Sequence, residues 1–263
     1  MKKRLSQVRH SRKVEAAYEK SLINIVKAMH ADIKKRIVPL LRSREGEFVL
    51  DSMIDRSTTF DDITDEITKI FAAILAKYSS TSFDKSADKI AGRFARSSDK
   101  ENKGRFTRSA PKSIGVSLSN IVETDGLKNV LKSTVSANVS LIKTIPQEYF
   151  KRVERIVFDG VINKSTAKSM IDKILETSTV TRSRAQLIAR DQTAKLNSAL
   201  TRERQIAVGV KEYVWRTASD DRVRPTHKKN NGKTFRWDKP PAATGHPGHD
   251  IQCRCVAQAI VEI

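Results

Sequence analysis

Five residues near the carboxyl terminus have the side chains best suited to chemistry: His227, His246, His249, Cys253 and Cys255. Zinc takes thiolate and imidazole donors in tetrahedral sets of four, and such a site could pin a loop that has little core of its own. Such a loop is present, since Pro240, Pro241, Gly245, Pro247 and Gly248 lie between His227 and Cys253. The preferred ligands are His227, His246, Cys253 and Cys255, with His249 as the substitute for His246. The competing reading is packing. On a strand, a Cys-x-Cys points both thiols to one face, where they serve as small core residues. Two cysteines in one Cys-x-Cys make no disulfide framework and suit a reducing compartment.

His227, Asn230, Asn231 and His246 are also the residue types of small metal-dependent nucleases. That chemistry needs a positioned base beside a metal-held phosphate, and the one adjacent pair, His249-Asp250, has no second pair to complete it. A catalytic role is therefore not expected. Asp220 and Asp221 suit a turn between two strands, and Arg222 and Arg224 are expected to close salt bridges to that turn.

These residues need elements to hold them. Ser183 can cap a helix in which Ala185, Ile188, Ala189, Gln192, Leu196, Ala199, Leu200 and Ile206 trace one face, ending before Gly209. After it, "KEYVWRTA" reads as a strand, "RPTHKKNNG" as a short helix closed by Gly232, and "KTFRW" as a second strand. The alternation of Cys253, Cys255, Ala257 and Ala259 gives a third. Upstream, apolar residues from Val14 to Ile37 recur three or four apart until Pro39, which should break that helix. A second helix is expected over Asp61–Tyr78, with Ile63, Ile67, Ile70, Phe71 and Ile74 on one side and acidic residues in its first turns. Further helices are expected near Gly126–Leu141, Pro146–Phe158 and Ser165–Thr177. The Ser/Lys/Arg-rich stretch 79–113 reads as a linker or mobile arm around one short helix near Ala87–Ala95. The resulting order is a helical region 1–78, that connection, a helical middle 114–179 and a terminal module 180–263. The fold class is mainly α with a small α+β carboxy-terminal module, a long helix followed by a strand-and-loop unit that zinc could stabilise.

The chain of 263 residues carries a formal net charge of +20. The excess is uneven: +10 over residues 1–44, −5 over 45–78, +5 over 84–113, +2 over 114–180 and +8 over 181–263. A charge this positive favours a polyanionic partner and salt-sensitive binding, and says little about fold. The amino-terminal "MKKRLSQVRHSRK" reads as a mobile cationic arm, with Lys2, Lys3, Arg4, Arg9, Arg12 and Lys13 as candidate contacts to DNA phosphates. Arg182, Arg184, Arg190, Lys195, Arg202 and Arg204 suit a solvated helix face. Aromatics are sparse in the basic segments, which argues against a stacking platform for single strands. No apolar run approaches the roughly 18 residues of a membrane span, and no signal core follows Met1, so a soluble, unsecreted chain is expected.

The order of the motifs is more specific than their composition. "RAQLIARDQTAKLN", "GVKEYVWRTASDDRVRPTH", "NGKTFRWDKPP" and "GHPGHDIQCRC" follow one another over residues 180–259. Together they resemble the carboxy-terminal domain of the phage head morphogenesis family, minor head proteins similar to the F protein of phage Mu and the minor capsid protein of phage SPP1. Arg184, Arg190, Trp215, Asp221, Arg222, Arg224, His227, Gly232, Cys253, Arg254 and Cys255 fall where the family pattern has them. Some relatives read Pro-Gly-Glu where this chain has Pro247-Gly248-His249, which favours His246 over His249 as a ligand. The resemblance implies a non-enzymatic virion component inside the head or at the portal, made in the host cytoplasm. Its implied partners are the portal protein, a major capsid or scaffold protein and double-stranded DNA, bound without sequence preference. The alternatives are a zinc-stabilised DNA-binding protein outside the virion and a metal-dependent nuclease.

Overall fold

Long amphipathic periods interrupted by prolines and hydroxyl-rich runs build most of this chain, and in the computed structural model those interruptions do not end helices. The structure describes residues 2–46, 56–109 and 124–262, with side chains in the second stretch described from 64 onward. Helix α1 (Arg12–Ser43) runs through Pro39. Pro39 removes one backbone donor, but Leu40 and Leu41 bury beyond it and the helix continues for another turn. Helix α2 is Arg56–Tyr78; Asp61, Asp62 and Ile63 lie outside the residues whose side chains are described. Helix α4 (Asp125–Ile162) carries Pro146 inside it and merges two expected helices.

Helix α5 (Ala167–Ala207) likewise merges the expected Ser165–Thr177 helix with the one expected to start at Ser183. The reason lies in the sequence "TSTVTRS". The hydroxyls of Thr177, Ser178, Thr181 and Ser183 bond back to carbonyls three or four residues earlier, at 2.6–3.2 Å, so a run that reads as a cap is absorbed into the helix.

The stretch read as a linker is different from expectation. Helix α3 spans Thr81–Ser109. Its buried positions include Ala87, Ala91, Phe94, Ala95, Ser98, Asn102, Phe106 and Ser109, mostly three or four apart. This is a helical stripe made of small and polar residues, which hydrophobic periodicity undercounts. Residues 110–113, the end of that stretch, lie outside the described residues.

The chain divides into two compact units. One comprises residues 19–89 and 139–186, and its described elements are all helices. Its core gathers Leu22, Val26, Met29, Ile33 and Ile37 from α1 and Ile67, Phe71 and Ile74 from α2. Ile142, Ile145, Tyr149 and Val153 of α4 and Met170 and Ile174 of α5 complete it. Asp32 accepts hydrogen bonds from Lys77 and from the Tyr78 hydroxyl, each at 2.7 Å.

The other unit comprises residues 1–18, 90–138 and 187–263 and holds the sheet. Four antiparallel strands lie in the order β1-β4-β2-β3: β1 Lys2–Arg4, β2 Glu212–Arg216, β3 Thr234–Arg236 and β4 Val256–Glu262. The short helix α6 (Pro225–Asn230) sits between β2 and β3, and Gly232 closes its turn at φ +81°. Trp215 lies opposite Ala257, and Tyr213 opposite Ala259. Tyr213, Trp215, Trp237, Cys253, Cys255 and Ala257 form one buried cluster.

The amino terminus is not a mobile arm. Lys2, Lys3 and Arg4 pair with Glu262, Val261 and Ile260. Leu5 and Val8 are buried, the Leu5 N–H donates to the Ala259 carbonyl, and Asn197 donates to the Val8 carbonyl. The apolar Leu5 and Val8 between basic residues anchor the segment, and the charges face outward from an edge strand, a common defence of exposed edges. Among the described residues no helix is long and apolar enough to cross a membrane.

Candidate metal centre

Cys253 and Cys255 stand two residues apart just before β4, so an extended backbone turns both thiols to the same side. His227 reaches them from α6. Pro225 at the first position of that helix presets its backbone, and Arg224 before it adopts the extended conformation of an entry residue. The His227 ring is 2% exposed, edge-on to Trp215 with ring centroids 5.4 Å apart.

His227 Nδ1 lies 3.5 Å from Cys253 Sγ and 3.4 Å from Cys255 Sγ. On the other side of the ring, Nε2 lies 2.8 Å from Asp250 Oδ2. A carboxylate on Nε2 keeps the proton there and turns the Nδ1 lone pair toward the two sulfurs. Three electron-rich atoms then face one another in a buried space, which calls for a shared proton or a cation. Zinc bonds of about 2.3 Å to sulfur and about 2.0–2.1 Å to nitrogen imply tetrahedral S···N edges of roughly 3.5 Å, close to the spacing observed. Among the described residues, His227, Cys253 and Cys255 are the group that could hold a metal ion. They would supply three of the four ligands of a zinc ion, with Asp250 behind the imidazole.

The thiols are tied to one another. Cys253 is held below the usual thiol range, first by its hydrogen bond with Cys255 and then by the N–H groups of Cys255 and Gly248. Cys255 is pushed up by being the donor in that pair and by burial. A divalent cation would replace this shared proton and take both sulfurs as thiolates.

The loop carrying the cysteines is fixed from α5. Buried Asp191 accepts from the Gln252 N–H at 2.7 Å, where Gln252 takes the left-handed backbone at φ +57°. Gly248 has φ +88°, and a Cβ there would stand 2.5 Å from the Ser198 Cβ, so the close approach of loop and helix requires glycine. Ser198 Oγ donates to the Pro247 carbonyl.

His246 is not part of this cluster. Its Nδ1 lies 2.9 Å from the Tyr213 hydroxyl and its ring packs 4.8 Å from Trp237. Burial first, and Arg202 second, hold its pKa below the usual imidazole range. It packs from within the Pro/Gly loop against Tyr213 and Trp237. His249 is exposed, against Gly245, and is likewise absent from the cluster.

The turn at Asp220 also departs from expectation. Asp220 is gripped by Arg254 at 2.6 and 2.7 Å rather than by Arg222 or Arg224. That hydrogen bond holds its carboxyl below the usual range. Arg224 donates instead to the Ile251 carbonyl at 2.8 Å, and Arg222 and Asp221 are exposed. Arg184 pairs with Glu148 at 2.9 Å and with Thr144 Oγ1, and Arg190 lies 3.8 Å from Glu15. Gly232 donates its N–H to the Trp215 carbonyl.

Sequence reasoning missed Asp250 as the partner of His227, because the two are 23 residues apart. It missed Asp191 for the same reason. Arg204, read as part of a solvated face, is 2% exposed and bonded to Asp99 and Asn102, each at 2.5 Å. Its lack of an acidic neighbour at helical spacing was the available signal.

Residues 151–258 match the family described as Phage Mu protein F like protein. An uncharacterized protein of Haemophilus influenzae is 30% identical over 261 residues, a stretch covering 99% of this chain and 56% of the relative. The chain thus spans about half the length of that relative, and the likeness extends through the amino-terminal two thirds, where no motif was legible. No solved structure matches. The ordered motifs, the Cys-Arg-Cys facing His227 and the matched region coincide: over residues 151–258 the chain is similar to the family described as Phage Mu protein F like protein.

Proposed function

We propose that this chain is a minor head protein of a phage or prophage that associates with the portal and with packaged DNA, and acts in head assembly, DNA packaging or DNA delivery. The observation that carries the reading is the phage Mu F-like domain over residues 151–258. The +20 charge supports it, because a basic chain packs favourably beside encapsidated DNA. Portal protein and a major capsid or scaffold protein are the proposed protein partners, and the interior of the head or the portal is the proposed location.

The chemistry of the carboxy-terminal module is structural in this reading. Zinc held by His227, Cys253 and Cys255 ties α6 to the start of β4 and stabilises a module whose loops hold few apolar side chains. Lys2, Lys3 and Arg4 from the anchored edge strand, and Arg9, Arg12 and Lys13 from the start of α1 and the segment before it, contribute phosphate contacts; Lys2 shares its charge with Glu212 at 2.8 Å.

Purified particles test the proposal. Copurification of the chain with portal and capsid protein in DNA-filled heads is the expected result, and its presence in cell extract but never in particles would overturn it.

A further inference from the structure

Five arginines converge on one open cleft of about 410 Å³ in the unit that holds the sheet. They are brought there by separate elements. Arg12 is the first residue of α1, Arg190 lies on α5, Arg222 and Arg224 flank Val223 ahead of α6, and Arg254 stands between the two cysteines. Local chemistry orients several of them. Arg254 is braced by Asp220, Arg224 by the Ile251 carbonyl, and Arg190 by Glu15, which also takes His10 at 3.0 Å. Arg12 and Arg222 are exposed and, among the described residues, form no ion pair.

Glu15 is the one carboxylate in the lining, against five guanidinium groups that stay charged at any physiological pH. Such a concentration of like charge is unfavourable without an anion to offset it, and a concave surface focuses its field. We infer that this arginine-walled cleft grips the phosphodiester backbone of double-stranded DNA and is the main DNA contact of the chain. The inference rests on the DNA-associated reading proposed above and gives it a site.

The lining selects among polyanions. Protein interfaces centre on apolar and aromatic anchors, whereas here Ile251 is the one large apolar side chain and no Phe, Tyr or Trp is present. Single strands call for aromatic faces on which bases stack. A duplex backbone needs neither, because guanidinium forks meet its phosphate oxygens directly and carry no sequence preference. The amino-terminal basic residues take a lesser part, since of the six only Arg12 lines the cleft.

Binding of a fluorescent 30-base-pair duplex to the full chain, followed by anisotropy between 50 and 300 mM NaCl, tests this. The triple variant R12Q/R190Q/R222Q is expected to reduce the slope of log K against log salt by about 3, at roughly 0.9 per neutralised phosphate. The lysine version, R12K/R190K/R222K, is expected to restore that slope, which a merely structural role would not do. Exposed lysines elsewhere, replaced in K151Q/K168Q/K173Q, serve as the control and are expected to leave it unchanged. A melting curve matching wild type shows that the glutamine variant is folded.

If wild type binds with a steep slope and the folded glutamine variant does the same, the cleft assignment is overturned while DNA association stands. Absence of any wild-type binding to duplex at 50 mM overturns DNA association and the cleft with it. If polyglutamate binds wild type but not the glutamine variant, while duplex binds both alike, the cleft takes an acidic protein and the assignment is likewise overturned.

Discussion

The two units of this chain are stabilised in different ways. The helical unit repeats one device, apolar residues three and four apart on long helices, so each buried side chain is one of many. The sheet-bearing unit depends on single contacts between residues far apart in sequence: His227 against two thiols, Asp191 against the Gln252 N–H, Arg204 against Asp99. Its Pro/Gly loop from residue 238 to 252 buries mostly backbone, with Thr244, Pro247 and Gly248 as the buried positions. Redundant apolar contact tolerates loss. A loop held by a few polar points does not, and this is where a bound metal would contribute most.

Removing a metal bound at the His227 cluster is therefore expected to have the largest effect and to distinguish the two units. Elemental analysis should find zinc bound to the purified chain. Chelation, or Cys253→Ser, should destabilise the sheet-bearing unit on the order of 5 kcal/mol, with hydrogen exchange rising around residues 225–256 while residues 22–41 stay protected. A chain without stoichiometric zinc whose melting is indifferent to chelators would leave the cysteines as packing residues and remove the contrast.

Trp215→Ala follows in size. The indole is fully buried among Tyr213, Trp237 and the cysteines, and its loss should cost about 3–5 kcal/mol by chemical denaturation. Ile33→Ala in the helical unit is expected near the low end of about 2–5 kcal/mol, since neighbouring helical turns can close on the space. Equal losses at the two sites would contradict the idea that the helical unit is the more forgiving.

Ion pairs sharpen the same contrast at smaller scale. Arg204→Ala removes a buried guanidinium and leaves Asp99 and Asn102 without their partner, with an expected cost of about 3 kcal/mol. Lys77→Ala breaks a pair of similar length with Asp32, but the lysine is 58% exposed and the Tyr78 hydroxyl remains, so under about 1 kcal/mol is expected. Denaturant midpoints of the two variants, compared at one salt concentration, check this.

What the sequence reveals follows the same division. The helices of the helical unit are legible because burial there is periodic and apolar, although Pro39 and Pro146 mislead by marking ends that the buried residues beyond them override. Helix α3 is hidden because its buried stripe includes alanines, Ser98 and Asn102, and the order of β1 is hidden because three basic residues give no strand pattern. In the terminal module, the strands, α6 and Gly232 are legible from local composition. Within the candidate site, His227, Cys253 and Cys255 are legible from side-chain chemistry alone. Their geometry is not, since Asp250 meets His227 and His246 meets Tyr213 only through the path of the loop. Two histidines three residues apart, His246 and His249, offer the same ligand chemistry on paper, and folding places neither with the sulfurs.

Acid response gives the smallest difference and the clearest sign. His30 in the helical unit and His246 in the other are both held below the ordinary imidazole pKa, in each case chiefly by burial. An unfolded chain regains the ordinary value near 6.5, so as pH falls it takes up the proton before the folded chain does. The stabilising contribution is complete above that value and is lost as pH drops below it toward the folded pKa. His30→Gln should therefore flatten a modest decline in melting temperature between pH 7.5 and 5. His246→Gln should flatten it less, because in the sheet-bearing unit acid would also weaken the hold of the cysteine sulfurs on a zinc ion bound there, a loss that His246 does not control. If His246→Gln alone abolished the acid sensitivity of that unit, the metal would have no part in its stability.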